Sequence, residues 1–209
     1  EAAIAAILAQ GVTPFTLGGD GAVTLPYLRA LAQVYPDLVA LHFDAHSDAY
    51  RPPRQGHHDN ATTFTTAARE RLLRPEASWH VGLRGPSSQA DIQAHTLGLG
   101  YRIHTMTDFM AQGVVGTLAT LRPSLQGRPV FLCWDLDVFD PAAAPGVCDP
   151  TWGGLSAREG LALLEGLAGL DIVAVDINTL SPPHDIGGMT AHLAATVLQL
   201  CLHLVTARP

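Results

Sequence analysis

Two short acidic runs, each placed directly after an apolar stretch of strand character, constrain this chain more than any other feature. The first reads Leu41-His42-Phe43-Asp44-Ala45-His46-Ser47-Asp48, and the second Cys133-Trp134-Asp135-Leu136-Asp137-Val138-Phe139-Asp140. Side chains alternate along a strand, so Asp135 and Asp137 share one face. Asp44, His46 and Asp48 converge if the backbone curls as the strand ends. Carboxylates crowded at a buried strand end repel one another unless a cation lies among them. Turn and N-cap roles are the commonest use of aspartate at such places; they account for Asp140-Pro141 and poorly for Asp135 and Asp137. Hard oxygen donors with one imidazole favour Mn²⁺ over zinc or copper, and two such cations about 3.5 to 4 Å apart suit hydrolytic chemistry.

The surrounding pattern predicts the scaffold. Runs rich in β-branched and aromatic residues alternate with Ala/Leu-rich segments, as in βαβ units around a buried parallel sheet. Strands are expected near 14–17, 38–43, 79–83, 101–103, 129–134 and 172–175, with helices over 2–10, 23–35, 63–73, 88–97, 107–121, 157–167 and 190–205. Ser156 followed by Glu159 forms a capping box. The fold class is therefore α/β, a single doubly wound, mostly parallel sheet in three α/β/α layers. Two long Pro/Gly-containing loops, 49–59 and 140–154, follow directly on the aspartate runs, and ligands of open parallel sheets sit at the carboxyl ends of strands.

Composition narrows the partners. Nineteen acidic against twelve basic residues, a net charge of -7, leave no basic footprint for a phosphate backbone. Nucleic acid is not expected. Cys133, Cys148 and Cys201 are odd in number and widely spaced, which suggests no disulfide framework and fits a reducing cytoplasm. The apolar tail 189–205 is interrupted by His192, Gln199 and His203, so no membrane association is expected.

At these residues the chain resembles the ureohydrolases, the family of arginase and agmatinase. Leu17-Gly18-Gly19-Asp20 with Thr24-Leu25-Pro26 is similar to the family's first signature, His42-Phe43-Asp44-Ala45-His46-Ser47-Asp48 to its second, and Asp135-Leu136-Asp137-Val138-Phe139-Asp140-Pro141 to its third. Val81-Gly82-Leu83-Arg84 and the run Asp176 to Asp185 are similar to the agmatinase branch. The resemblance implies one ureohydrolase-like domain over 1–209 that lacks the family's N-terminal part. It implies a binuclear Mn²⁺ site hydrolysing a small guanidino compound, agmatine foremost, to urea and an amine. Asp44 and Asp135 would bridge the two metals, Asp48 would complete the first, and His46 and Asp137 the second. Asp20 and Asp140 would orient those ligands. A cytoplasmic homo-oligomer, trimeric or hexameric, is implied as well.

Three positions depart from the family pattern. Gly21 stands where a histidine would bind the first metal, so that metal should be weaker, with water in the imidazole's place. Asn60 falls where the family has a proton-shuttling histidine; His57 and His58, just before it, are candidate stand-ins. Thr179 falls on the glutamate that meets the guanidinium group, and Asn60 and Thr179 are accordingly the candidate substrate contacts. The catalytic set is thus Asp44, Asp135, His58 and Asn60. Two alternatives follow from these departures: a catalytically impaired homologue with a structural or binding role, or a single-metal, deacetylase-like amide hydrolase.

Overall fold

The structure, a computed structural model, describes residues 1–54 and 56–206. Six strands, β1 (Phe15–Leu17), β2 (Val39–Phe43), β3 (Trp79–Leu83), β4 (Arg102–Thr105), β5 (Pro129–Asp135) and β6 (Asp171–Asn178), form one parallel sheet in the order β1-β6-β5-β2-β3-β4. Among the described residues seven α-helices accompany them: α1 (Ala2–Leu8), α2 (Thr24–Ala32), α3 (Thr63–Arg69), α4 (Ile92–Gly98), α5 (Met106–Leu125), α6 (Ala157–Glu165) and α7 (Met189–Thr206).

Strand alternation divides the core into two layers. Val39, Leu41 and Phe43 of β2 and Val130, Leu132 and Trp134 of β5 pack on the face covered by α5, α6 and α7. Ala40 of β2 and Phe131 and Cys133 of β5 face the other way, against Ile4, Leu25, Leu28, Leu31 and Phe64 of α1, α2 and α3. Both faces are therefore apolar, as a doubly covered parallel sheet requires. α7 is long and apolar enough to cross a bilayer by length and composition; here Ala194, Val197, Cys201 and Leu204 are buried in the first of these layers.

Element ends differ from expectation where polar side chains intervene. β6 runs past Val175 to Asn178, because the buried Asp176 carboxylate accepts hydrogen bonds from the hydroxyls of Thr16 and Thr24. α4 begins at Ile92 rather than Ser88: the Ser87 hydroxyl takes the Gln89 amide at 3.2 Å, and Arg51 pins Asp91, leaving a turn before the helix. α5 starts at Met106 behind a Thr105/Asp108 capping box and kinks at Gly113, whose φ is 63°.

The topology positions the site. From β2 the chain moves outward to β3 and β4, then returns to β5 on the other side of β2 and continues to β6. The loops leaving β2 and β5 therefore part in opposite directions and open a crevice at their carboxyl ends. Phe43 pairs in register with Trp134, which brings Asp44 and Asp135 side by side one step later. The Phe43 and Trp134 rings pack with centroids 4.4 Å apart directly beneath.

The loop after β5 is held from below by Phe139, which is buried against α6. A Cβ at Gly160 would lie 2.2 Å from the Phe139 ring. On an exposed helix, Gly→Ala stabilises by about 1 kcal/mol; Gly160→Ala should instead destabilise by roughly 1–3 kcal/mol through overpacking. Urea unfolding midpoints of the two proteins check this, and a stabilised variant would contradict the packing described.

Candidate metal centre

The backbone does curl after β2. The Asp44 amide donates to the Val81 carbonyl at 2.9 Å, and the His46 amide turns back onto the Asp44 carboxylate. Asp48 sits in the left-handed region with φ 48°, a conformation aspartate tolerates better than most residues. The Phe64 amide donates to its carbonyl at 2.8 Å. On the neighbouring strand Asp135 caps a single 3-10 turn, Leu136–Val138, by accepting the Asp137 amide at 2.7 Å. Asp137 then reaches across: one carboxylate oxygen accepts the Ala45 amide at 2.9 Å, and the other lies 3.0 Å from His46 Nδ1. His46 Nδ1 is also 3.2 Å from Asp44, while its Nε2 faces Asp149 at 3.5 Å.

Electrostatics make this cluster unstable by itself. Burial, and then the neighbouring carboxylates, push Asp44, Asp48 and Asp135 well above the ordinary carboxylate range. Burial acts the same way on Asp137 and is the largest single influence, but the hydrogen bond and charge of His46, with the hydrogen bonds from Asp44 and the Ala45 amide, together outweigh it and hold that group low. His46 is the counterpart: burial would lower its pKa, yet the bonds to Asp137 and Asp44 raise it to about 12. With one imidazolium facing four carboxyl groups, the ionised forms of Asp44, Asp48 and Asp135 are disfavoured unless cations lie among them. Arg84 relieves little of this, since its guanidinium donates to the backbone carbonyls of Gly82, Asp137, Phe139 and Thr151. The remaining negative charge calls for cations. Donor atoms of Asp44, His46 and Asp137 lie within 4.8 Å of one another, and so do those of His42, Asp44 and Asp48. Asp44 belongs to both groups, an arrangement that suits two adjacent ions.

The cluster forms the floor of a cavity of about 540 Å³, with Tyr50, Asn60 and Trp152 on its walls. The structure brings Asp44, His46, Asp48, Asp135 and Asp137 together here, with Thr179, Asn60 and Gly21 beside them. The other expected positions make the following contacts. His58 is not among the lining residues, because its Nε2 is engaged with the Ala22 carbonyl at 2.9 Å; His57 is paired with Asp59 at 2.7 Å. Asp20 lies at the rim, and its carboxylate caps the turn at Ala22. Asp140 accepts the amides of Ala142, Gly153 and Gly154. These two aspartates shape loops, and their hydrogen bonds go to backbone amides instead of ligand side chains. The Thr179 hydroxyl donates to Asp135 at 2.5 Å, from a residue with φ 66°.

Three groups were not singled out from the sequence. His42 is one: it lies two residues before Asp44, and strand parity alone places both on one face. Asp149 and Asp176 carry no such signal, since each takes its place from loop or inter-strand packing.

A family comparison matches residues 1–203 to the arginase family. The chain belongs to the arginase family. An arginase-family relative, guanidinopropionase of Pseudomonas aeruginosa, is 40% identical over 197 residues, covering 93% of this chain and 62% of its own length. Agmatinase of Neisseria meningitidis is 35% identical over 208 residues, covering the whole chain and 64% of the enzyme. The chain therefore spans less than two thirds of these relatives. Among solved structures, proclavaminate amidino hydrolase from Streptomyces clavuligerus superimposes with a TM-score of 0.93 at 34% identity, covering 99% of this chain and 68% of that one. Arginase from Bacillus caldovelox superimposes at 0.86 with 25% identity, covering 94% and 71%. Members of this family act on small guanidino substrates.

The carboxylate burden is measurable. Asp135 is raised in the folded state, so its favourable contribution is complete only below the unfolded carboxyl value near 4 and is lost as pH rises towards its folded value. Without metal, Asp135→Asn should be more stable than the parent by roughly 1–3 kcal/mol at pH 8, with the gain shrinking as pH falls to 4. Excess Mn²⁺ should reverse the order, since a ligand at 100 times its Kd adds about 2.7 kcal/mol to the protein that binds it. Thermal melts in EDTA and in Mn²⁺ test both halves.

Proposed function

We propose that this chain hydrolyses a small guanidino compound, agmatine by preference, to urea and an amine at a binuclear Mn²⁺ centre. The observation that carries the reading is the crowding of four buried carboxylates and His46 at the adjoining ends of β2 and β5, facing one cavity. Asp44 and Asp135 would be shared between the ions, Asp48 would complete the first, and His46 and Asp137 the second. Bound there, the pair would supply Lewis acidity and a water of lowered pKa.

The chain's own residues define the rest. Asp44, Asp48, Asp135 and Asp137 would be neutralised by the two cations, which leaves Asp20 and Asp149 as the unliganded acids of the cavity lining, with no Lys or Arg among the described lining residues. Such a wall favours a substrate with a cationic tail, as in agmatine, over a guanidino acid whose carboxylate would meet like charge. Attack of water on the guanidinium carbon forms a C–O bond and breaks the C–N bond to the tail, which leaves as the amine. Asn60 can hydrogen-bond the substrate at the cavity wall, but its amide does not ionise and so cannot act as a general acid towards that amine; the attacking water releases a proton that balances the one the amine gains. Thr179 holds Asp135 in place and has only a neutral hydroxyl to offer the guanidinium.

A second reading, a catalytically impaired homologue, is motivated by Gly21, Asn60 and Thr179 lying together on the cavity wall. A homo-oligomer of three or six chains in the cytoplasm completes the proposal; the exposed thiol of Cys148 and the exposed Ile186, Met189 and Leu202 support it.

Protein loaded with Mn²⁺ should release urea from agmatine with a kcat/KM at least about tenfold above that for 3-guanidinopropionate. Metal-loaded protein that yields no urea from any guanidino compound tested rejects the hydrolase reading. If the parent is inactive while Gly21→His/Thr179→Glu turns over agmatine, the impaired reading stands in its place.

A further inference from the structure

We propose that His42 is the imidazole donor of the first cation position, binding together with Asp44 and Asp48 and taking the role that Gly21 cannot fill. The proposal rests on the two-cation reading of the site, but it concerns ligation and does not require turnover.

Gly21 has no donor atom, and its backbone faces the Asp48 carboxylate closely: a Cβ there would lie 2.7 Å from Asp48 Oδ2. The imidazole that does reach these carboxylates comes from β2. His42 Nε2 is 3.0 Å from Asp44 Oδ2, both side chains are 1% exposed, and the donor atoms of His42, Asp44 and Asp48 all fall within 4.8 Å of one another. Two ligands at right angles, each about 2.1 Å from an octahedral cation, are about 3 Å apart. The same separation serves as a hydrogen bond in the metal-free protein, so the ring can exchange one partner for the other without leaving its place.

The other side of the ring is built as a ligating histidine requires. Metal-bound imidazoles nearly always donate their second N–H to a fixed acceptor, which sets tautomer and orientation. His42 Nδ1 has such a partner, His80 Nδ1, at 2.9 Å. With His42 donating, His80 carries its proton on Nε2, and that buried nitrogen has no hydrogen-bond partner. It lies on a ring packed nearly perpendicular to Phe64 and Tyr101, at centroid distances of 4.9 and 4.7 Å, an arrangement in which an N–H can rest on an aromatic face. Phe64 also packs on His42 at 4.5 Å, which restrains its rotation. His46, the other imidazole of the centre, belongs to the Asp44/Asp137 group. Each cation position then has one histidine.

The test uses Mn²⁺ alone. Pulsed EPR of the fully loaded parent protein should detect nitrogen couplings from two imidazoles, and titration should give two bound Mn²⁺. In His42→Phe, which keeps a flat ring in the apolar surroundings of Phe64, the imidazole count should fall to one. Affinity for one Mn²⁺ should drop by at least on the order of 100-fold, the upper end of what loss of a mere supporting partner of a ligand causes, with the other unchanged. A single imidazole in the loaded parent overturns the proposal, even if His42→Phe binds metal weakly, because hydrogen-bonded support of Asp44 alone gives that result. Two Mn²⁺ bound by a folded His42→Phe with unchanged affinity overturns it equally. Should that variant not fold, the parent's imidazole count still decides. Absence of urea from a protein with two imidazole couplings would remove the hydrolase reading and leave this one in place.

Discussion

Everything in this molecule turns on four aspartates taken out of water within reach of one another and only partly offset by one imidazole, His46. Repulsion and desolvation both act against such a cluster, and several kcal/mol per uncompensated buried ion is the usual penalty. A fold meets that penalty only if its remaining interactions hold the groups in place and something else neutralises them. The first condition is visible here. Asp137 is tied to the β2 loop by the Ala45 amide, Asp135 is held by the Asp137 amide and the Thr179 hydroxyl, and Arg84 clamps the carbonyls behind them. The second condition is the physical case for cations.

The scaffold explains why the cluster forms at this place. β2 and β5 are neighbours in space but 85 or more residues apart in sequence, and the chain leaves them in opposite directions. The diverging connections leave a crevice at their carboxyl ends, walled by Tyr50, Asn60 and the loop from Cys148 to Trp152. The loop beyond β5 is then organised by Asp140, whose carboxylate gathers the amides of Gly153 and Gly154 and closes the loop on itself. Phe139, buried against Gly160, anchors the same loop from beneath. Geometry at the floor of the cavity is thus imposed by rigid strands, and geometry at its rim by backbone capping.

Much of this could be read from the chain before any coordinates. All six strands and seven helices are signalled by periodicity, and the ligand-type residues Asp44, His46, Asp48, Asp135 and Asp137 by their place after apolar runs. What escaped was of two kinds. The end of β6 depends on Asp176, a carboxylate whose burial is decided by threonines about 150 residues away, and no local pattern carries such a contact. The roles of His58, Asp20 and Asp140 depend on which way a loop turns. His58 faces the Ala22 carbonyl and the aspartates face backbone amides, although spacing alone put all three within range of the site. His42 was legible by strand parity, yet an alternating run offers its buried positions to core packing first.

The departures at Gly21 and Thr179 are best weighed together with the groups that surround them. A glycine at position 21 removes a donor from the open side of the cluster, while His42 presents a fixed ring nitrogen from the strand side to the same Asp44 and Asp48. A threonine at 179 removes a carboxylate from the cavity wall, and its hydroxyl instead fixes Asp135. A glutamate there would add a fifth buried carboxylate beside Asp135 and Asp137, raising the repulsion that the cluster already carries. In this chain the Thr179 hydroxyl thus supports Asp135 without adding a charge to the cluster.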